Sequence, residues 1–173
     1  MSKPRTGSTA HRAHARELGP IGISIVTVSD SRSESDDDNG AWLREQIEAT
    51  GHRLCEYRVL PDEPKLIVEA LEECTSGDAQ IVLFNGGTGI SKRDSTYDAI
   101  SSRLEKTLTG FGELFRMLSY EQVGAAAMFS RATAGVFRGT VIVSTPGSPA
   151  AVQLAWNELI APEIAHLAWE VAR

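Results

Sequence analysis

Short apolar segments rich in β-branched residues alternate along this chain with segments of helical periodicity. Residues 21–29 and 81–84 have the composition of buried strands, and residues 54–60, which end before Pro61, are predicted to form a further strand. Between them, residues 41–50 and 64–74 place apolar side chains at helical spacing. Two strands run parallel only when a long crossover joins them, and a helix commonly supplies that crossover. The sequence therefore predicts an α/β fold with a mostly parallel sheet and right-handed crossovers.

The last third of the chain predicts a different strand connection and a final helical region. Residues 133–137 and 140–143 flank Arg138-Gly139, so they resemble a hairpin or a pair of adjacent strands. Ser148 is a suitable N-cap, and Pro149 after it is a favourable first helical residue because its missing amide hydrogen is not needed there. A helix is therefore predicted to begin at this turn.

Length and charge restrict the class of protein. The chain has 173 residues, close to the size of one domain, and we expect residues 20–173 to form it. Its net charge of −6 argues against general nucleic-acid binding, which leaves a basic footprint. No apolar run approaches the roughly 20 residues of a membrane span, and the N-terminus lacks a signal-peptide core. We therefore expect a cytoplasmic protein that binds neither nucleic acid nor membranes.

The first segment, residues 1–19, is polar and contains several arginines and histidines. It can be a basic arm that contacts a partner subunit, or a frayed tail. We favour a tail that is at least partly disordered, and so expect a flexible N-terminal arm.

The segment that follows the third predicted strand, residues 85–94, carries the strongest functional signal. Its glycines free the backbone to approach a ligand closely, so their amides can cradle a phosphate or a pterin edge. Lys92 and Arg93 supply cationic donors, and Asp94 a carboxylate for a divalent metal or for proton transfer. The other candidate binding residues of this loop are Gly86, Gly87, Thr88, Gly89 and Ser91. The alternative is a tight strand-to-helix turn that needs small residues.

Further loops are predicted to reach the same edge of the sheet, because ligands of open α/β sheets bind beyond the carboxyl ends of the strands. One loop begins at Ser29 and contains Asp30 and Arg32, which can equally be ordinary loop-capping residues. Another holds Asp62 between Pro61 and Glu63, where a simple turn is the alternative.

A third such loop contains the turn Pro146-Gly147-Ser148. Helix capping already explains this turn, but an exposed helix N-terminus also attracts anions, so both interpretations hold together.

The acidic run at residues 36–38 can be a metal site. We favour a solvated run instead, because adjacent carboxylates repel one another.

These motifs together resemble the molybdenum cofactor biosynthesis family that includes MoaB, MogA and the G domain of plant and animal molybdenum cofactor synthases. The resemblance covers roughly residues 22–172, and the joint order and spacing of the motifs make it specific. The matching segments are Val28-Ser29-Asp30-Ser31-Arg32, Pro61-Asp62-Glu63, Gly86-Gly87-Thr88-Gly89, Arg93-Asp94-Ser95-Thr96, Gly110-Phe111-Gly112-Glu113 with Arg116, Ser130-Arg131-Ala132 and Pro146-Gly147-Ser148-Pro149.

The resemblance implies a three-layer α/β/α fold, binding of molybdopterin, and its adenylylation with Mg-ATP to give adenylyl-molybdopterin and pyrophosphate. Asp62 and Asp94 match the two acidic positions tied to catalysis in similar proteins, through Mg²⁺ or through orientation of the substrates. The B-type members that this chain resembles in length assemble as trimers or hexamers, so a homotrimer or homohexamer is expected. The competing hypothesis is a carrier of the same fold that binds molybdopterin without catalysis.

Two local features favour opposite answers to the question of whether the chain is an adenylyltransferase or a non-catalytic carrier. The loop after Arg32 is more acidic than expected near ATP. The run Arg93-Asp94-Ser95-Thr96, absent from many B-type relatives, is present here and favours activity.

Overall fold

A computed structural model describes residues 19–172, and its centre is a sheet of six strands. The strands are β1 (Gly22–Val28), β2 (Arg53–Leu60), β3 (Ile81–Asn85), β4 (Lys106–Thr107), β5 (Thr133–Phe137) and β6 (Thr140–Thr145). Their order across the sheet is β2-β1-β3-β6-β5-β4. The neighbours from β2 to β6 pair in parallel, whereas β5 is antiparallel to β6 and to β4. The prediction of a mostly parallel sheet is confirmed.

Six α-helices surround the sheet within residues 19–172. They are α1 (Asp38–Ala49), α2 (Pro64–Ser76), α3 (Thr96–Ser101), α4 (Thr109–Val123), α5 (Pro149–Leu154) and α6 (Ile164–Ala172). Between α5 and α6 the chain passes through a π-helical stretch and a short 3-10 turn around Pro162, which cannot donate a helical hydrogen bond. None of the described helices has both the length and the hydropathy that a membrane span requires.

The helices cover both faces of the sheet, because alternate side chains of each strand point to opposite sides. On one face, Leu83 belongs to a core that also contains Trp156 and residues of α1, α4 and α6. On the other face, the neighbouring Val82 packs with residues of α2 and α3. Each fully buried large apolar side chain contributes about 1.5–3 kcal/mol. These layers make the three-layer α/β/α fold, as predicted.

The hairpin and the helix cap predicted in the last third of the chain are both confirmed. β5 and β6 are joined by Arg138 and Gly139, whose φ angles of 49° and 71° suit a two-residue turn between antiparallel strands. At the start of α5, the Ser148 side chain accepts a hydrogen bond from the amide of Ala151 at 3.3 Å. This cap fixes the turn that precedes it.

In the acidic run at residues 36–38, Asp36 and Asp38 are exposed as predicted, whereas Asp37 differs from the prediction of a solvated run. Asp37 is only 2% exposed, and its Oδ2 accepts a hydrogen bond from the Tyr57 hydroxyl at 2.9 Å. Arg32 Nη1 lies 3.6 Å from the other oxygen of Asp37. Burial is the main cause that raises the pKa of Tyr57. The contacts with Tyr57 and Arg32 compensate the Asp37 side chain for the hydration that it loses on burial.

The predicted N-terminal arm, residues 1–19, lies outside the described residues except for Gly19.

Candidate functional site

The predicted site residues lie in loops that leave one edge of the sheet. Strands β1, β2, β3 and β6 run parallel, so their carboxyl ends, Val28, Leu60, Asn85 and Thr145, share that edge. Residues 29–32 follow the first of these strands, Asp62 the second, residues 86–94 the third and residues 146–148 the fourth. The topology therefore brings every predicted site residue to the ligand-binding edge of an open α/β sheet.

The loop of residues 86–94, called here the glycine loop, needs glycine for steric reasons at its start. Gly86 and Gly87 have φ angles of +102° and +63°, which L side chains rarely adopt. A Cβ at Gly86 would overlap the carbonyl oxygen of Val28. The Gly86 amide donates to the carbonyl of Thr145 at 3.0 Å, and Gly147 lies directly against Gly86. The glycine loop and the turn at residues 146–148 therefore form one surface.

Four successive amides of the glycine loop are available to a ligand. The N–H groups of Gly87, Thr88, Gly89 and Ile90 donate no hydrogen bond to any group within residues 19–172. Polar backbone groups of a folded chain are normally paired with protein or with water. Consecutive amides of this kind carry partial positive charge and make concave anion sites. The loop thus has the donors that a phosphate requires.

Two carboxylates border the same loop. Asp62 Oδ1 accepts hydrogen bonds from the amide and the hydroxyl of Ser95, at 3.1 and 2.5 Å. Asp94 Oδ2 accepts from the amide of Ser91 at 3.0 Å and lies beside Gly89. Asp62 is thereby bonded to Ser95, the residue that follows Asp94. The second oxygen of each, Asp62 Oδ2 and Asp94 Oδ1, accepts no hydrogen bond within residues 19–172.

Arg93 joins three of the loops through ion pairs. Its guanidinium binds both carboxylate oxygens of Asp30, at 2.7 and 2.9 Å, and Glu63 at 3.0 Å. Asp30 in turn accepts a hydrogen bond from the amide of Asp62 at 3.0 Å. The hydrogen bond from Arg93 is the main cause that lowers the pKa of Asp30 to about 2. Arg93, expected to be a donor for an anion, instead holds the loops after β1, β2 and β3 together.

We expect the Arg93→Gln substitution to raise the pKa of Asp30 from about 2 towards its ordinary value of 3.8, because the charged donor is lost. Since folding depresses this pKa, the ion pair stabilises the fold above about pH 4, and its contribution disappears as the pH falls towards 2. Carbon-13 NMR titration of the Asp30 carboxyl measures the change. Arg103→Gln, which removes an ion pair with Glu72 elsewhere, is the control. An unchanged Asp30 pKa in Arg93→Gln would contradict this assignment.

Several predicted binding residues have local structural partners. Ser29 Oγ accepts hydrogen bonds from the amides of Ser31 and Arg32, at 3.4 and 3.2 Å, which agrees with the loop-capping alternative. The Arg32 side chain lies near the buried Asp37. Ser91 Oγ accepts from the amide of Arg93 at 3.2 Å. These contacts shape the loops, and a ligand role for Ser29, Arg32 and Ser91 stays a prediction.

A buried amide network below the loops was not predicted. Asn39 Nδ2 donates to Asn85 Oδ1 at 3.1 Å and to the carbonyl of Gly147 at 2.9 Å. Asn85 Nδ2 donates to Thr27 Oγ1 at 2.9 Å. The two asparagines are at most 2% exposed, so their hydrogen bonds are shielded from water. Asn85 was predicted as the first residue after the third strand, but the position of Asn39 gave no signal before the fold was known.

A cleft of about 780 Å³ lies elsewhere, between α1 and β2. It is lined by Arg44, Ile47 and His52 among others, and by none of the predicted site residues. The chemistry of the loops, and not the volume of this cleft, identifies the candidate site.

The fold defines a class, the open α/β proteins, whose ligands bind beyond the carboxyl ends of the strands. Residues 24–166 match the family model described as a probable molybdopterin binding domain. This match covers most of the chain, and the chain belongs to that family.

Named relatives agree with this assignment. The chain is 44% identical over 167 residues to the molybdenum cofactor biosynthesis protein B of Bacillus cereus, covering 95% of this chain and 98% of the relative. A crystal structure of a molybdenum cofactor biosynthesis protein B is 44% identical and superposes with a TM-score of 0.87, over 89% of this chain and 97% of the other. The tungsten cofactor synthesizing protein MoaB from Pyrococcus furiosus is 34% identical, with a TM-score of 0.82 over 89% and 98% of the chains.

Proposed function

We propose that this protein acts in molybdenum cofactor biosynthesis by binding molybdopterin and adenylylating it with Mg-ATP. The observation that carries the proposal is the glycine loop, in which four amides that have no partner within residues 19–172 lie beside the carboxylates of Asp62 and Asp94. The family assignment supports molybdopterin as the ligand, and the named relatives are molybdenum or tungsten cofactor proteins.

Binding of the pterin phosphate is assigned to the glycine loop and its neighbours. The amides of Gly87 to Ile90 provide four donors that have no partner in the described part of the chain. The turn at residues 146–148 borders Gly86 and leads into α5. The net charge of −6 does not oppose this binding, because local amide dipoles act at much shorter range than the screened charge of the whole surface.

Asp62 and Asp94 are suited to bind Mg²⁺ in the way that proteins usually bind it together with a nucleotide. Within residues 19–172, no group of three His, Cys, Asp or Glu side chains is arranged to hold a metal by itself. Mg²⁺ commonly takes one or two protein carboxylates and completes its shell with substrate phosphates and water. Asp62 Oδ2 and Asp94 Oδ1, which accept no hydrogen bond from the described residues, are suitable ligands of this kind. When bound, the ion neutralises charge on the phosphates of ATP.

The proposed reaction is an in-line displacement at phosphorus. An oxygen of the terminal phosphate of molybdopterin attacks the α-phosphorus of ATP, and the bond from that phosphorus to the pyrophosphate oxygen breaks. The products are adenylyl-molybdopterin and pyrophosphate. The protein contributes position and charge compensation, which supply most of the rate enhancement in reactions of this type. In this scheme the glycine-loop amides hold the attacking phosphate in place.

The test is to incubate the purified protein with molybdopterin and Mg-ATP and to measure adenylyl-molybdopterin and pyrophosphate. We expect both products in equal amounts. Tight binding of molybdopterin without either product would refute the transferase and support the alternative, a non-catalytic carrier of the same fold. Absence of both binding and product would refute the assignment of molybdopterin to this chain.

We also propose that the protein assembles as a homotrimer or homohexamer. An exposed apolar face, called here the α4 face, runs along α4 and the turn after it. Its members range from 47% to 68% exposed. They are Leu114, Met117, Tyr120, Val123, Met128 and Phe129. Contiguous apolar patches of this kind on a folded chain mark interaction surfaces, and the family resemblance makes a second copy of the chain the expected partner.

Replacing Met117 with Glu is expected to convert the assembly to a monomer of about 18.7 kDa, because a charge would be buried in the interface. Sedimentation equilibrium measures the mass. Lys65→Glu, which changes an exposed residue on α2, is the control and should leave the assembly intact. A wild-type protein that is monomeric at micromolar concentration would contradict the proposal.

A further inference from the structure

Arg131 binds the back of the glycine loop through three carbonyl groups. Its Nε donates to the carbonyl of Thr88 at 3.1 Å, and its Nη2 donates to the carbonyls of Gly89 and Asp94, at 2.6 and 3.2 Å. The Arg131 side chain thus contacts both ends of the segment from Thr88 to Asp94. Arg131 itself lies just before β5 in the chain.

The orientation of Arg131 is itself fixed from two directions. Nη1 pairs with both carboxylate oxygens of Asp98, at 3.1 and 2.9 Å. The guanidinium carbon lies 4.8 Å from the centre of the Tyr97 ring, within the range of a cation–π contact. Asp98 and Tyr97 belong to α3, the helix that follows the glycine loop. The loop is therefore held between α3 and the residue before β5.

These contacts determine which way the loop amides point. In a trans peptide the carbonyl of one residue and the N–H of the next point in opposite directions, and the described chain has no cis peptide bond. Because the carbonyls of Thr88 and Gly89 converge on Arg131, the amides of Gly89 and Ile90 face the opposite side of the loop. Those two amides are among the four without a partner within residues 19–172.

We propose that Arg131 is a positioning residue that turns the Gly89 and Ile90 amides towards a bound phosphate. It acts through the backbone and not by contact with the ligand. The planar guanidinium, with several donors in a fixed geometry, suits this task, whereas a lysine ammonium would act as a single point charge. The inference deepens the proposed function and rests on it for the identity of the ligand, but the anion site can be tested separately.

The experiment measures binding of inorganic pyrophosphate by calorimetry to the wild type and to Arg131→Ala, Arg131→Lys and Arg103→Ala. We expect affinity to fall at least tenfold in both Arg131 variants, because lysine cannot hold all three carbonyls. Arg103, which pairs with Glu72 away from the loop, removes the same charge and should have little effect. In the absence of ligand, nitrogen-15 NMR should show displaced Gly89 and Ile90 amide signals in Arg131→Lys, at an unfolding temperature close to that of the wild type.

Wild-type affinity in Arg131→Lys would overturn the inference, since positive charge alone would then suffice. An equal loss of pyrophosphate affinity in Arg103→Ala would also overturn the inference, because it would show that any lost positive charge has the same effect. A wild-type protein that does not bind pyrophosphate would overturn it as well. If Arg131→Ala fails to fold, Arg131→Lys alone decides the question. A wild type that binds pyrophosphate through Arg131 but forms no adenylyl-molybdopterin would support this inference and refute the proposed transfer reaction.

Discussion

Gly87→Ala is expected to destabilise the protein by about 2–5 kcal/mol and to abolish binding of molybdopterin. Positive φ at a non-glycine residue costs roughly 1–2 kcal/mol, and overpacking a filled site adds about 1–3 kcal/mol. Gly87 has a φ of +63°, and a Cβ there would overlap Asp62 Oδ2 and Thr96 Oγ1. Neither neighbour can withdraw easily, because Asp62 is held by Ser95 and Thr96 is fully buried.

Chemical denaturation measures the stability of Gly87→Ala, and fluorescence titration its affinity for molybdopterin. The matched control is Gly51→Ala, since Gly51 has a φ of +76° and open space where the Cβ would lie. This control should lose only the roughly 1–2 kcal/mol of backbone strain and should keep its binding. Equal losses of stability in the two variants, with molybdopterin still bound by Gly87→Ala, would contradict the close approach of Asp62 to the loop.

The substitutions Asp62→Asn and Asp94→Asn are each expected to lower the rate of adenylyl transfer by about 10²–10³-fold, the usual loss when one charge-stabilising group is removed. Affinity for molybdopterin should change far less. Asparagine keeps the size of the side chain and one acceptor oxygen, so the hydrogen bonds to Ser95 and Ser91 can persist. The negative charge available to Mg²⁺ is what disappears.

Steady-state kinetics with Mg-ATP measures kcat for each variant, and a binding titration measures its affinity for molybdopterin. Asp78→Asn is the control, because Asp78 is an exposed carboxylate that precedes β3 at the opposite edge of the sheet. Wild-type turnover in Asp62→Asn or in Asp94→Asn would remove that residue from the catalytic set. An equal decrease in affinity and turnover would assign the residue to binding alone.

Hydrophobic pattern and turn chemistry predicted most of the fold. The β-branched runs of β1 and β3 and the cap at Ser148 were informative because each depends on a short stretch of sequence. The burial of Asp37 was mispredicted, since its partners Tyr57 and Arg32 come from other parts of the chain. A charged residue is buried when tertiary neighbours compensate for it, and sequence pattern alone does not record those neighbours.

Less of the candidate site than of the fold could be predicted from the sequence. The alternation of strands and helices, together with the carboxyl-edge rule, placed Asp62 and the glycine loop at the same edge, as the structure does. The role of Arg93 was different from the one expected, because its partners Asp30 and Glu63 come from loops distant in sequence. Such long-range hydrogen bonds appear only once the chain is folded.

Molybdopterin titration of nitrogen-15 glycine-labelled protein tests the central claim most directly. The chain has 15 glycines, distributed between the candidate site and distant parts of the fold. If the glycine loop holds the pterin phosphate, the amide signals of Gly87 and Gly89 will shift most, and those of Gly51 and Gly139 will remain in place. Shifts confined to Gly51, beside the cleft between α1 and β2, would contradict the assignment and locate the ligand there.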